Sequence, residues 1–169
     1  SKAAMSSMEM IIGDEDVLRR VAIDIIDDYK RRTETTDRVQ KAMIACADRT
    51  IAFRLYKIMR ELQPDWFEKK KALNELVLTA DEKEKLKDIA FVNMVMTRGK
   101  DDEKELYDLL GDKDYRSKFL DPEFKSEKSN FHIAIVVDMW ITGFDVPCLT
   151  MLYNDKPLSK HTLIQTISR

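Results

Sequence analysis

The 169-residue chain has little of what most specialised sites need. Its two cysteines, Cys46 and Cys148, lie far apart without C-x-x-C spacing, which points to reduced thiols rather than a disulfide framework. With only His132 and His161 beside them, no metal-ligand constellation is expected. Charge of one sign is also missing. Twenty-nine basic residues face 31 acidic ones, a net of −2, so no overall basic field advertises nucleic acid and any such contact must use a local patch. The longest apolar runs are far below membrane-spanning length, and the Ser/Met/Ala-rich start lacks the apolar core of a signal peptide. A cytoplasmic protein without a membrane partner is the expectation. No G-x-x-x-x-G-K-[ST] occurs, so the chain carries no phosphate-cradling loop of that type. Glycine is scarce as well, four in all, which gives each one weight.

What is present reads as a folded α/β chain. Apolar residues make up 44% and charged residues 36%, enough of the former to bury a full core in one domain. From Asp14, Val17, Val21, Ile25 and Tyr29 recur every fourth residue and predict an amphipathic helix over 14–33, ending in Lys30-Arg31-Arg32. Residues 42–47, Ala-Met-Ile-Ala-Cys-Ala, form a continuous apolar run as in a strand buried on both faces. Asp48 can cap a helix with the stripe Ile51, Leu55, Ile58 and Leu62, stopped by Pro64. Residues 65–90 read as an insertion: Lys69-Lys70-Lys71 as a solvated turn, Leu73–Leu78 as strand or helix, and Thr79-Ala-Asp-Glu82 as a capping box. A strand is predicted over 91–97, a helix from Asp101 to Leu110 closed by Gly111, and a short helix and loop over 112–130. Strands at 132–138 and 150–154 and a helix over 159–169 complete the reading, the chain stopping in mid-helix at Arg169. Strands alternating with helical segments indicate βα units and a largely parallel sheet with helices on both faces.

Ligands of open α/β sheets gather at the carboxyl ends of strands. The strand at 132–138 is followed there by Thr142-Gly143-Phe144-Asp145. Gly143 lets backbone approach a phosphate or ribose, Asp145 can accept from hydroxyls, and Thr142 can donate to a phosphate. An architectural reading stands beside this one: Gly143 supplies a positive φ and Asp145 caps the next turn. Trp140 and Phe144 read as core plugs under the turn, and Cys46 and Cys148 as small buried residues.

The wording around the turn is specific. Residues 133–149, IAIVVDMWITGFDVPCL, then LYNDKPL and HTLIQTISR at the end of the chain, resemble helicase motifs V and VI as found in the motor (R) subunit of type I restriction-modification enzymes, which are superfamily 2 DNA translocases. Residues 41–52, KAMIACADRTIA, resemble that family's motif IV region. The resemblance spans roughly residues 38–169 and is absent from 65–90.

The resemblance implies an α/β, RecA-like (P-loop NTPase type) three-layer sandwich with a mostly parallel sheet, the helicase C-terminal lobe. Residues 1–37 would be an N-terminal segment and linker helix, and 38–169 the second lobe, truncated in motif VI. Gly143 and Asp145 match motif V positions facing ATP; Thr142 stands where many relatives have Arg, and its role is the least defined. Asp138 matches an acidic residue at the strand end. Gln165 and Arg169 match the Gln and first Arg of motif VI, such an Arg stabilising charge in phosphoryl transfer. The family's second motif VI Arg, three residues further on, falls past the end of this sequence. Without the resemblance, Gln165 and Arg169 would read equally as a solvated pair on one helix face. Arg49, Thr97 and Arg98, just beyond strand ends, are candidates for DNA-backbone contacts, or else cap and surface groups.

The implied parent is an ATP-dependent type I restriction endonuclease that translocates DNA. It would use ATP and Mg and act on double-stranded DNA. Its partners would be a first RecA-like lobe and nuclease domain of the same parent, and methyltransferase and specificity subunits. The isolated chain is expected to bind no cofactor and to be inactive. Two alternatives stand: another superfamily 2 helicase lobe, and a non-catalytic protein-interaction module of the same fold.

Overall fold

The computed structural model describes residues 15–137, 146–155 and 163–166, with Asp155 and 163–166 described by backbone alone. Five strands form one sheet in the spatial order β2-β3-β1-β4-β5. They are β1 (Lys41–Cys46), β2 (Val92–Val95), β3 (Ile133–Val137), β4 (Leu149–Asp155) and β5 (Leu163–Thr166). β1 to β4 are parallel and β5 is antiparallel to β4.

The period-2 alternation of strand side chains divides the core into two layers. Ala42, Ile44 and Cys46 of β1, with Ile133 and Ile135 of β3 and Met151 and Tyr153 of β4, pack against α1 (Glu15–Glu34), α2 (Arg49–Leu62) and α4 (Lys104–Leu110). Met43, Ala45, Ala134 and Val136 face the other way, onto Leu120, Phe124 and Val146. Every residue of β1 is buried, Lys41 included, and the continuous apolar run at 42–46 requires it of the rest. The result is a three-layer α/β sandwich of the RecA-like kind, with a mostly parallel sheet.

Local chemistry explains the element starts. The Asp48 side chain accepts from Ile51 N–H at 2.8 Å and caps α2. Thr79 and Glu82 form the reciprocal capping box of α3 (Ala80–Lys85). Gly111 closes α4 with φ 70°, and a Cβ there would lie 2.3 Å from Tyr115 Cδ1. Only glycine fits both constraints. Residues 115–120 then form a π-helical turn running into α5 (Asp121–Lys125).

The stretch expected to be a linker helix is packed into the main core. Leu18, Ala22, Ile25, Ile26 and Tyr29 of α1 are all buried in it. Asp28, 3% exposed, accepts hydrogen bonds from Arg31 (2.5 Å), Arg32 (2.8 Å) and the Tyr153 hydroxyl (2.7 Å), tying α1 to β4.

Two local expectations are corrected. Residues 163–166 are not helical. They form β5, Tyr153 pairing with Ile164 and Leu152 with Gln165. Ile164 and Thr166 are β-branched, which disfavours a helix and suits an edge strand. Nor is Lys70 in a solvated turn: its N–H and C=O exchange bonds with Ile89 at 3.0 Å each. That bridge closes an excursion around a small cluster of Ala72, Leu78 and Leu86. The charges had described the side chains, not the backbone. Within the excursion, Glu75–Val77 is a 3-10 turn.

Candidate functional site

The site is built where the parallel strands end. Register sets Cys46 of β1 beside Val137 of β3, and Val95 of β2 beside Val136. The chain therefore leaves β1, β2 and β3 on one edge of the sheet, the edge at which α/β folds collect ligands. Thr142, Gly143 and Asp145, together with Asp138, Trp140 and Phe144, follow Val137 but lie outside the described residues, and so does Arg169.

The first two loops on this edge are tied together. Arg49, the first residue of α2, donates from Nε to Asp102 Oδ1 at 3.2 Å and pairs through Nη2 with Asp102 Oδ2. Its Nη1 donates to the Thr97 carbonyl at 2.8 Å. The Asp102 side chain is 8% exposed and also accepts from Gly99 N–H at 2.6 Å. Burial alone would raise the Asp102 carboxyl. The bond from Arg49, the Gly99 N–H and the Arg49 charge outweigh it and hold the group below its ordinary range. Gly99 is hemmed in by this arrangement, for a Cβ there would stand 3.0 Å from Asp102 Oδ1 and 3.3 Å from Arg49 Nη2. Beside the pair runs an open groove of about 560 Å³, lined among others by Arg54, Lys57, Lys100, Asp101 and Glu103.

Arg98 goes elsewhere. Its Nε donates to the Tyr107 carbonyl at 2.7 Å and its guanidinium lies 4.0 Å from the centre of the Tyr107 ring. It lines a separate cleft of about 710 Å³ with Tyr56, Phe67 and Tyr115. The structure thus brings Arg49 and Thr97 together and directs Arg98 away from them. Gln165 sits on β5 at the level of Leu152, and β5 runs on until Thr166 is level with Met151, towards the opposite edge. The one-face helical spacing expected of Gln165 and Arg169 does not exist at 163–166.

Among the described residues, no group of three or more His, Cys, Asp or Glu could hold a metal. Cys46 is buried and Cys148 partly so, and neither is in a disulfide.

The family model described as type I restriction enzyme subunit R domain 3 matches residues 38–169. The chain belongs to that family. This restriction-subunit domain is 30% identical over 161 residues to the type I restriction enzyme HindI endonuclease subunit of Haemophilus influenzae, covering 95% of the chain. It is 32% identical over 168 residues to a putative type I restriction enzyme, the MjaIXP endonuclease subunit of Methanocaldococcus jannaschii, covering 99% of the chain. In both cases the domain spans 14% of the relative's length. No helix among its described residues is long and apolar enough to cross a membrane.

Sequence reasoning missed Asp102 and Lys41. Asp102 lies 53 residues from Arg49 and no spacing rule joins them. Lys41 opened an apolar run and drew no attention, yet it is fully buried. Its Nζ donates to the carbonyls of Phe124 (2.7 Å), Ser126 (2.6 Å) and Glu123 (3.3 Å), fastening the end of α5 to the amino end of β1. Burial depresses its pKa to about 8, against the charges near Cys148, Glu123 and Glu127.

Proposed function

We propose that this chain is the second motor lobe of the ATP-dependent DNA-translocating subunit of a type I restriction endonuclease. Membership of the subunit R domain 3 family, joined to a parallel sheet whose loops converge on one edge, is the observation that carries the reading. In such a motor, nucleotide binds between two lobes and favours their closed arrangement, and its loss favours the open one. Backbone contacts by each lobe then alternate and move the duplex. This lobe supplies one wall of the cleft.

The residues assigned to ATP are Thr142, Gly143 and Asp145, with Gln165 and Arg169. The first three follow β3 from the edge where α/β folds hold ligands, which fits a ribose and phosphate site. Gln165 and Arg169 rest on the sequence resemblance alone, since β5 carries the backbone towards the other edge. ATP with Mg supplies the free energy of the cycle when bound. Arg49 and Thr97 are assigned to the side that meets DNA backbone; Arg98, the third candidate, is turned into the separate cleft beside Tyr107. The partners of the lobe are double-stranded DNA, the first lobe and nuclease domain, and the methyltransferase and specificity subunits.

The test is DNA-stimulated ATPase and triplex displacement by the full subunit with Arg169→Ala and with Asp145→Ala. Loss of an arginine finger costs roughly 10³-fold or more in turnover where one operates. Unchanged turnover in both variants sinks the motor reading, and strand unwinding without triplex displacement redirects it to a helicase. The isolated 169-residue chain should neither hydrolyse ATP nor cut DNA, and measurable turnover by it would count against the assignment.

A further inference from the structure

Arg49 begins a helix, where a cation sits against the positive end of the macrodipole. A residue placed there at an electrostatic disadvantage needs a compensating partner, and Asp102 is that partner. All three guanidinium nitrogens are engaged inside the protein: Nε and Nη2 on the carboxylate of Asp102, Nη1 on the Thr97 carbonyl. The carboxylate in turn holds Gly99 N–H, and Asp102 N–H closes the turn on the Gly99 carbonyl at 3.1 Å. One arginine at the start of α2 thereby fixes both ends of the segment 97–99 in the β2 loop. To offer its charge to a phosphate, Arg49 would have to release a carboxylate that is almost wholly buried, and a buried charge left unpaired is strongly disfavoured.

Thr97, which opens the fixed segment, and Lys100, which follows it, are exposed. Lys100 lines the same groove as Arg49. We propose, resting on the motor reading above, that Arg49 is a positioning residue: acting through Asp102 and the Thr97 carbonyl, it presents Thr97 and Lys100 to the DNA phosphates and does not itself contact them.

The two roles separate by salt dependence. Each cation that neutralises a phosphate contributes about 0.9 to the slope of log K against log salt. The assay is duplex binding by the full subunit across a NaCl series, with amide hydrogen exchange at Gly99 as a second readout. On the proposal, Lys100→Ala makes the slope shallower by about 0.9. Arg49→Gln and Asp102→Asn each weaken binding by a similar factor, roughly tenfold where a charge-assisted bond is lost, with the slope unchanged. The double variant is no weaker than the worse single one, because the residues act as one unit. Exchange at Gly99 quickens in Arg49→Gln, although Arg49 does not touch that amide.

The proposal is overturned if Arg49→Gln makes the slope shallower by about one phosphate's worth while Asp102→Asn leaves affinity alone. It is equally overturned if Gly99 protection is untouched in Arg49→Gln. Gly99→Ala, which presses a methyl on the pair from 3.0 Å, supplies an independent variant with the same expected pattern. A wild-type subunit that binds no duplex sinks the motor reading and the phosphate half of this proposal, and the exchange result then decides the positioning half.

Discussion

Tyr153→Phe offers a sharp test of how α1 is held. The Tyr153 side chain is fully buried, and its hydroxyl donates at 2.7 Å to Asp28 Oδ2, 125 residues away in sequence. Burial first, and the neighbouring Asp28 second, push the phenol well above its ordinary range, so it is always the donor. Removing the hydroxyl deletes one hydrogen bond to a charged group, roughly 1.5–3 kcal/mol. Asp28 keeps Arg31 and Arg32, so no buried carboxylate is stranded. Asp28→Ala acts differently. It leaves the buried hydroxyl with only the thioether sulfur of Met151, a weak acceptor at 3.5 Å, a loss of about 1–3 kcal/mol. It also frees two arginines whose side chains are 73% and 37% exposed, a loss of roughly 0–1 kcal/mol each after solvent screening. Once Asp28 is gone the hydroxyl keeps only the weak Met151 Sδ contact at 3.5 Å, so adding Tyr153→Phe should cost little further. The assay is urea unfolding of the chain, wild type, both single variants and the double, followed by circular dichroism. For a chain of this size, Tyr153→Phe should also lower Tm by roughly 3–12 °C. Strict additivity of the two losses, or a Tyr153→Phe effect below about 0.5 kcal/mol, would refute the claim that this bond fastens α1 to the sheet.

Three further outcomes follow from buried groups. His132 stacks on Phe91 at 4.6 Å and donates from Nδ1 to the Asn130 carbonyl at 2.8 Å; burial foremost, then the Lys41 charge, outweigh that bond and depress its pKa to about 4. The unfolded imidazole takes a proton near pH 6.5 and the folded one does not, so stability should fall by roughly 3 kcal/mol from pH 6.5 down to 4, and pH-dependent unfolding of His132→Gln should lack that increment. Lys41, depressed to about 8, has the same sign in another window. The unfolded amine stays protonated to about pH 10.5, so stability contributed at this position should rise between pH 8 and 10.5 by on the order of 3 kcal/mol, and Lys41→Met should flatten that limb of the curve. Gly111→Ala must place a methyl 2.3 Å from Tyr115 Cδ1 at φ 70°; a loss above about 2 kcal/mol in urea unfolding is expected, and a neutral result would mean that the turn does not hold Tyr115 in place.

The sequence by itself determined the elements that depend on neighbours along the chain. The four-residue stripe of α1, the Asp48 cap, the Thr79–Glu82 box and the Gly111 stop all rest on contacts within a few residues, and each was legible from spacing. The doubly buried runs of β1 and β3 likewise announced a parallel sheet covered on both faces. Family membership was legible as well, because residues 132–169 carry closely worded motifs. What only the tertiary structure decided lies in pairs far apart in sequence: Arg49 with Asp102, Tyr153 with Asp28, Lys41 with the carbonyls ending α5. It also decided that Arg98 leaves Arg49 for the Tyr107 ring, and that 163–166 join β4 as an edge strand. The physical reason is common to all of these. Capping and periodicity are local and written in residue order, whereas a buried charge takes whichever partner the packed layers bring within about 3 Å, and an edge strand takes its conformation from the ladder beside it.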